Sequence, residues 1–127
     1  TTFDVISTAG EYLGGIICPG VEISADALFE RAARLPRVDI QRPPALIGRT
    51  TVGAIQSGLF YGYVGMIEGI IERLNSSLSH AQPSICVATG GLAEKMAPEV
   101  PFIDHVNLNL TLVGLKLIWE RNVRGQE

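Results

Sequence analysis

The run from Val52 to Leu74 constrains this chain more than any other stretch. Its apolar residues Val52, Ile55, Leu59, Tyr63, Met66, Ile67, Ile70, Ile71 and Leu74 recur with the helical period, while Gly53, Gly58, Gly62, Gly65 and Gly69 interrupt them every few residues. Glycine inside a helix is less favourable than alanine by about 1 kcal/mol. A helix carrying so many needs an offset, and close approach of a second backbone is one that a face without Cβ atoms permits. Upstream, Pro43 and Pro44 end whatever precedes, and Thr50-Thr51 supplies an N-terminus that presents hydroxyl groups and free backbone N–H groups. The same run reaches the length of a membrane span. Gln56, Glu68, the glycines and the lack of a flanking basic cluster argue against insertion, so no membrane is expected as a partner.

The rest of the chain reads around that helix. Thr1 to Ser7 and Glu11 to Ile17 are β runs joined by Thr8-Ala9-Gly10, which predicts an antiparallel hairpin. Gly14-Gly15 inside the second run marks a bulge, the close passage of another backbone, or a ligand contact. After Cys18-Pro19-Gly20, Ser24 is a suitable N-cap for a helix with Leu28, Phe29, Ala32 and Leu35 on one face, and Pro36 stops it. Arg37 to Leu46 is a proline-interrupted connection, and Asn75 to Pro83, with a solvent-exposed His80, is polar and turn-rich. Ser84 to Thr89 is a short apolar run that fits a strand buried on both faces of a parallel sheet. Gly90-Gly91 follows, then a helix over Leu92 to Ala97, a strand over Phe102 to Val106, and an amphipathic helix from Leu110 to Asn122 with Leu112, Leu115, Ile118 and Trp119 inward. The order β-β-α-α-β-α-β-α is α/β, with hairpin strands first and parallel strands with helices afterwards.

At 127 residues and 46% hydrophobic the chain is one domain long and can bury a core. Ten basic against 13 acidic residues, a net charge of −3 and no basic run remove the footprint of a nucleic-acid binder. Cys18 and Cys86 have no partner at metal spacing, which favours buried thiols in a reducing compartment. The first residues carry no secretory signal, and their strand-like alternation from Thr1 onward leads to the expectation of a piece of a longer protein.

No paired-carboxylate, Ser/His/Asp or metal-ligand spacing is present, so neither a catalytic residue nor a metal ligand is assigned. Asp104 and His105 are adjacent on a strand and point to opposite faces, which predicts a strand-end pair meeting water or backbone rather than an acid-base couple. Gly90-Gly91, between a strand and a helix, is either a tight turn or the place where backbone N–H groups come up to a ligand. Thr50 and Thr51 are helix caps or ligand contacts.

Several words of this sequence together resemble type III pantothenate kinases, members of the actin-like, sugar-kinase and heat-shock ATPase superfamily. They are Thr1-Thr2-Phe3-Asp4-Val5, Gly10-Glu11-Tyr12-Leu13-Gly14-Gly15, Pro19-Gly20, Ala32-Ala33-Arg34-Leu35-Pro36, Ile47-Gly48-Arg49-Thr50-Thr51, Gln56-Ser57-Gly58 with Gly62-Tyr63, Ala88-Thr89-Gly90-Gly91-Leu92-Ala93, and the tail from Leu110 to Asn122. The resemblance implies a ribonuclease H-like (actin-like ATPase) domain and ATP-dependent phosphorylation of pantothenate, the first step of coenzyme A biosynthesis, with Mg2+ and a monovalent cation (K+ or NH4+). It implies a cytoplasmic homodimer joined through the helix from Val52 to Leu74, with Thr51 contacting pantothenate in the neighbouring subunit's active site. Thr89, Gly90 and Gly91 resemble the adenosine-side nucleotide-binding motif. The family usually has Asn where this chain has Thr50.

In the resemblance the first phosphate loop, a Gly-x-Asp-Arg segment with the general-base aspartate, and an Asp-x-Gly-Thr turn would all lie before Thr1. Residues 1–127 are therefore expected to be the C-terminal domain of a two-domain kinase, without the N-terminal domain and without the first strand of their own sheet, and inactive alone. The alternatives are a non-catalytic regulatory or interaction relative of the same fold and, less well matched, a membrane-associated helical module.

Overall fold

The computed structural model of the protein describes residues 1–31, 35–78 and 84–124. The elements are β1 (Thr2–Ile6), β2 (Tyr12–Ile17), α1 (Val21–Arg31), α2 (Thr51–Ser77), β3 (Val87–Ala88), α3 (Ala93–Met96), β4 (His105–Val106) and α4 (Leu110–Arg124), with a 3-10 turn, Ala97–Glu99, after α3. The order expected from the hydrophobic pattern is the order found, in a mixed α/β fold. The chain divides into two compact units, Thr1–Tyr63 and Val64–Glu127, and α2 runs through the boundary.

In the first unit β1 and β2 pair antiparallel, with Thr2 opposite Ile17 and Val5 opposite Gly14. The next pair is Ile6 with Tyr12, so Leu13 is the extra residue of a bulge. Gly14 there has φ +119°, and a Cβ on Gly15 would collide with the carbonyl oxygen of Phe3. The glycine pair thus serves both a bulge and a close backbone passage. Ser7 Oγ accepts the amides of Ala9 (3.2 Å) and Glu11 (3.0 Å), and Gly10 takes φ +82° to close the hairpin. Tyr12 donates its hydroxyl to Asp4 Oδ1 at 3.2 Å, and that bond to a carboxylate holds the phenol above its ordinary pKa.

α1 begins at Val21, three residues before the expected cap. Ser24 is inside the first turn, its amide bonded to the Gly20 carbonyl, and its hydroxyl lies 2.6 Å from that of Tyr63. Ser24 is therefore not the N-cap: a tertiary partner on α2 takes the hydroxyl. Tyr63 also donates to the Pro19 carbonyl at 2.9 Å, fastening the β2–α1 junction to α2. Leu28 and Phe29 remain partly exposed, and the Arg37 guanidinium covers the Phe29 ring at 4.5 Å while pairing with Asp26 at 2.9 Å. Ala32, on the expected apolar face, lies outside the described residues.

α2 is 27 residues long, starting one residue earlier and ending three later than its apolar period predicts. Leu59, Phe60, Val64 and Ile71 are buried, as is Ser57. Gly58, Gly62 and Gly65 are exposed, and a Cβ on any of them would meet nothing within 4 Å. No second backbone of the described residues approaches these three glycines, whereas at Gly53 the Gly48 backbone does come close, 3.5 Å from where a Cβ would stand.

In the second unit β3 and β4 pair in parallel, Val87 with His105 and Ala88 with Val106. Both strands are shorter than predicted, and Ile85 (75% exposed) and Val87 (44%) contradict a strand buried on both faces. The sheet has two strands among the described residues. α4 also departs from expectation, since Leu112, Leu115, Ile118 and Trp119 are all more than half exposed rather than inward. Its amphipathic pattern is real, but the described residues bring no element over that face. The buried residues of this unit, Val64, Ile71, Ala93, Met96 and Val100, gather on α2, α3 and the turn after it. Cys18 and Cys86 are both free thiols, half-buried. Among the described residues no helix is long and apolar enough to cross a membrane.

Candidate functional site

The start of α2 is built by three ties between a short loop and the first two turns of the helix. Thr50 is the N-cap: its Oγ1 accepts the Gly53 amide at 3.1 Å and its carbonyl accepts the Ala54 amide at 2.8 Å. Two residues earlier, Gly48 lies so close to the helix that a Cβ on it would overlap the backbone of Gly53 and Ala54. Two residues before that, the Leu46 carbonyl accepts the hydroxyl of Ser57. Between these anchored positions Ile47 and Arg49 are exposed. Gln56 Nε2 reaches the Asp39 carbonyl at 3.4 Å, a long contact that adds little.

This arrangement separates the two threonines. Thr50 does the capping, a task that Thr and Asn side chains both perform. Thr51, at the first helical position, is exposed, and no cap bond uses its hydroxyl.

In the second unit Thr89, Gly90 and Gly91 are contiguous and exposed. Gly90 has φ +96°, and its carbonyl accepts the Ala93 amide at 3.1 Å. Leu92 offers no side-chain cap, and α3 has four residues. A Cβ on Gly91 would meet nothing within 4 Å. Thr51 belongs to the first unit and these three residues to the second, each arranged within its own unit.

Asp104 and His105 behave as a strand-end pair. Asp104 Oδ2 accepts the Cys86 amide at 2.7 Å, and the amides of Asp104 and His105 both reach the Cys86 carbonyl. Burial, and then the Asp104 carboxylate, push the Cys86 thiol above its ordinary pKa, which disfavours its thiolate. His80 lies outside the described residues. Among the described residues no group of three or more His, Cys, Asp or Glu side chains could hold a metal ion.

A family model described as type III pantothenate kinase matches residues 1–73, which hold the hairpin, the anchored loop and most of α2. The chain belongs to the type III pantothenate kinase family. Proteins named type III pantothenate kinase from Moorella thermoacetica and Anaeromyxobacter sp. (strain Fw109-5) are 55% and 56% identical to it over 122 residues, which is 96% of this chain and 47% of each of theirs. The protein of that name from Acidobacterium capsulatum is 51% identical over 127 residues, all of this chain and 46% of its own. The chain spans about half the length of the curated relatives it matches.

Sequence reasoning placed Gly48 and Ser57 in words of the resemblance but assigned neither a part in holding the start of α2. The signal for Ser57 was a lone hydroxyl on the buried side of an apolar helix, which must find a partner. Gly48 gave no signal beyond being a glycine just ahead of a cap.

Proposed function

We propose that the protein carrying this chain phosphorylates pantothenate with ATP to give 4'-phosphopantothenate, the first step of coenzyme A biosynthesis. In this reading residues 1–127 form the C-terminal, ribonuclease H-like domain of a two-domain kinase, and the domain before it supplies the general base. The observation that carries the reading is the family match together with Thr51, left exposed and uncommitted because Thr50 takes the cap.

Phosphoryl transfer depends chiefly on holding the acceptor, the donor and their charges in place. The part assigned to this chain is positioning. Thr51 presents a hydroxyl that hydrogen-bonds pantothenate, across a two-fold axis, in the partner subunit's site. The exposed Gly58, Gly62 and Gly65 face of α2 supports a homodimer, since a second α2 laid on it would bring backbone to backbone where a Cβ would otherwise stand. Thr89, Gly90 and Gly91 approach the adenosine side of ATP through their backbone, with no side chain in the way at Gly91. Mg2+ and a monovalent cation, K+ or NH4+, serve the phosphates, held by residues other than these, and the enzyme works in the cytoplasm.

The test is ADP release with pantothenate as acceptor in the full-length protein. Activity is expected there and not in residues 1–127 alone. Thr51→Val removes one hydroxyl and is expected to raise the KM for pantothenate about tenfold, the scale of a lost hydrogen bond in a site built to make it. A full-length protein that binds neither ATP nor pantothenate overturns the assignment in favour of a non-catalytic relative.

A further inference from the structure

We infer that Ser57 is a positioning residue for pantothenate, acting through Thr51; the inference rests on reading Thr51 as the pantothenate contact. Ser57 is 6% exposed and is the buried polar side chain among the described residues. It lies on α2, six residues past Thr51, and spends its hydroxyl on the carbonyl of Leu46 at the far end of the loop that leads to Thr51. Gly48 and Thr50 hold the middle and the end of that loop against the first turn of the helix. Each tie alone leaves part of the loop free to move. With all three, alternate residues from Leu46 to Thr50 are fixed to one rigid element, and the orientation of Thr51 follows from theirs.

Without the Ser57 hydroxyl the Leu46 carbonyl loses its partner on α2 and is drawn toward water. The loop then pivots on Gly48, a residue with no side chain to resist it, and the first helical turn frays. Displacement of a contacting group by a fraction of an ångström weakens the complex with its ligand, while Thr89, Gly90 and Gly91, which belong to the other unit, are tied to no part of this loop. Ser57 touches no substrate in this account. Its effect is on how often Thr51 stands in the productive place.

The experiment uses the full-length protein with steady-state kinetics in both substrates. Ser57→Ala is expected to raise the KM for pantothenate about fivefold, the scale of one hydrogen bond, with the KM for ATP unchanged. Ser57→Cys, which keeps the volume with a weaker donor, is expected to fall between the two and serves if Ser57→Ala does not fold. The deciding readout is the double variant: in a Thr51→Val background, Ser57→Ala should add nothing to the KM for pantothenate. An equal change in both KM values, a loss of active protein with both KM values intact, or a full additional effect in the Thr51→Val background would each overturn the inference. If Thr51→Val by itself leaves the KM for pantothenate unchanged, the reading of Thr51 fails first, and that result is seen without any Ser57 variant.

Discussion

Two glycine-bearing steps lead into helices in this chain, and they are held in opposite ways. At 46–51 the backbone is clamped onto α2 by Ser57, by the contact at Gly48 and by the Thr50 cap. At 89–92 one glycine turns with φ +96°, the next touches nothing, and the four-residue helix behind it has no side-chain cap. The first step is held by contacts within the chain. The second owes its shape to backbone conformation, with nothing within 4 Å of where a Cβ on Gly91 would stand. Glycine is required in the first case by what is already there and in the second by a dihedral angle.

Substitution should separate these causes. In the full-length protein, Gly48→Ala forces a methyl into the backbone of Gly53 and Ala54, and a loss of about 3 kcal/mol is expected in urea unfolding, at the upper end of overpacking effects because no flexible side chain can yield. Unchanged stability would show that the clamp is loose. Gly90→Ala should lose about 1–2 kcal/mol from the positive φ, whereas Gly91→Ala should stay within about 0.5 kcal/mol of wild type and raise only the KM for ATP. Equal losses at both would mean that the second step is packed after all.

The rear of α2 extends the contrast, since Gly62 has neither a close neighbour nor a positive φ. Gly62→Ala is expected to stabilise the isolated protomer by about 0.5–1 kcal/mol through helix propensity and to weaken self-association, read by sedimentation across a concentration series. A variant that associates as tightly as wild type would remove this face from the seam. The smallest effect concerns the strand that feeds the second step. Burial and the nearby negative charge both disfavour the thiolate of Cys86, so Asp104→Asn, which removes the charge and keeps an acceptor for the Cys86 amide, should lower that thiol's pKa. Alkylation of Cys86 near pH 8 should then quicken, as more thiolate forms at the same pH, and an unchanged rate would show that burial alone holds the thiol protonated.

The hairpin, the order of the elements and α2 were legible because each rests on short-range signals: alternation from Thr2 to Ile6, Gly10 at the turn, the helical period from Val52 onward. Ser24 was misread because a hydroxyl near a helix start looks like a cap until Tyr63 is known to lie beside it. Trp119 and Ile85 were expected inside because an apolar pattern states which side wants covering and not whether these residues bring the cover. At the candidate site Thr50 and Thr51 were legible as a pair, but their division of labour depends on one hydrogen bond to Gly53. Gly48 and Ser57 stood in the words of the resemblance, but their tasks were out of reach for the same reason, since each acts through an atom several residues away.

The alternate anchoring of Leu46, Gly48 and Thr50 makes the loop a ruler. Most surface connections tolerate an inserted residue, but here a single insertion or deletion between Leu46 and Thr50 would draw at least one of the three moorings off its place on α2. Length in this stretch is therefore as restricted as identity, and a natural or engineered relative with one residue more between Leu46 and Thr50 would have to relocate its threonine to keep the same reach.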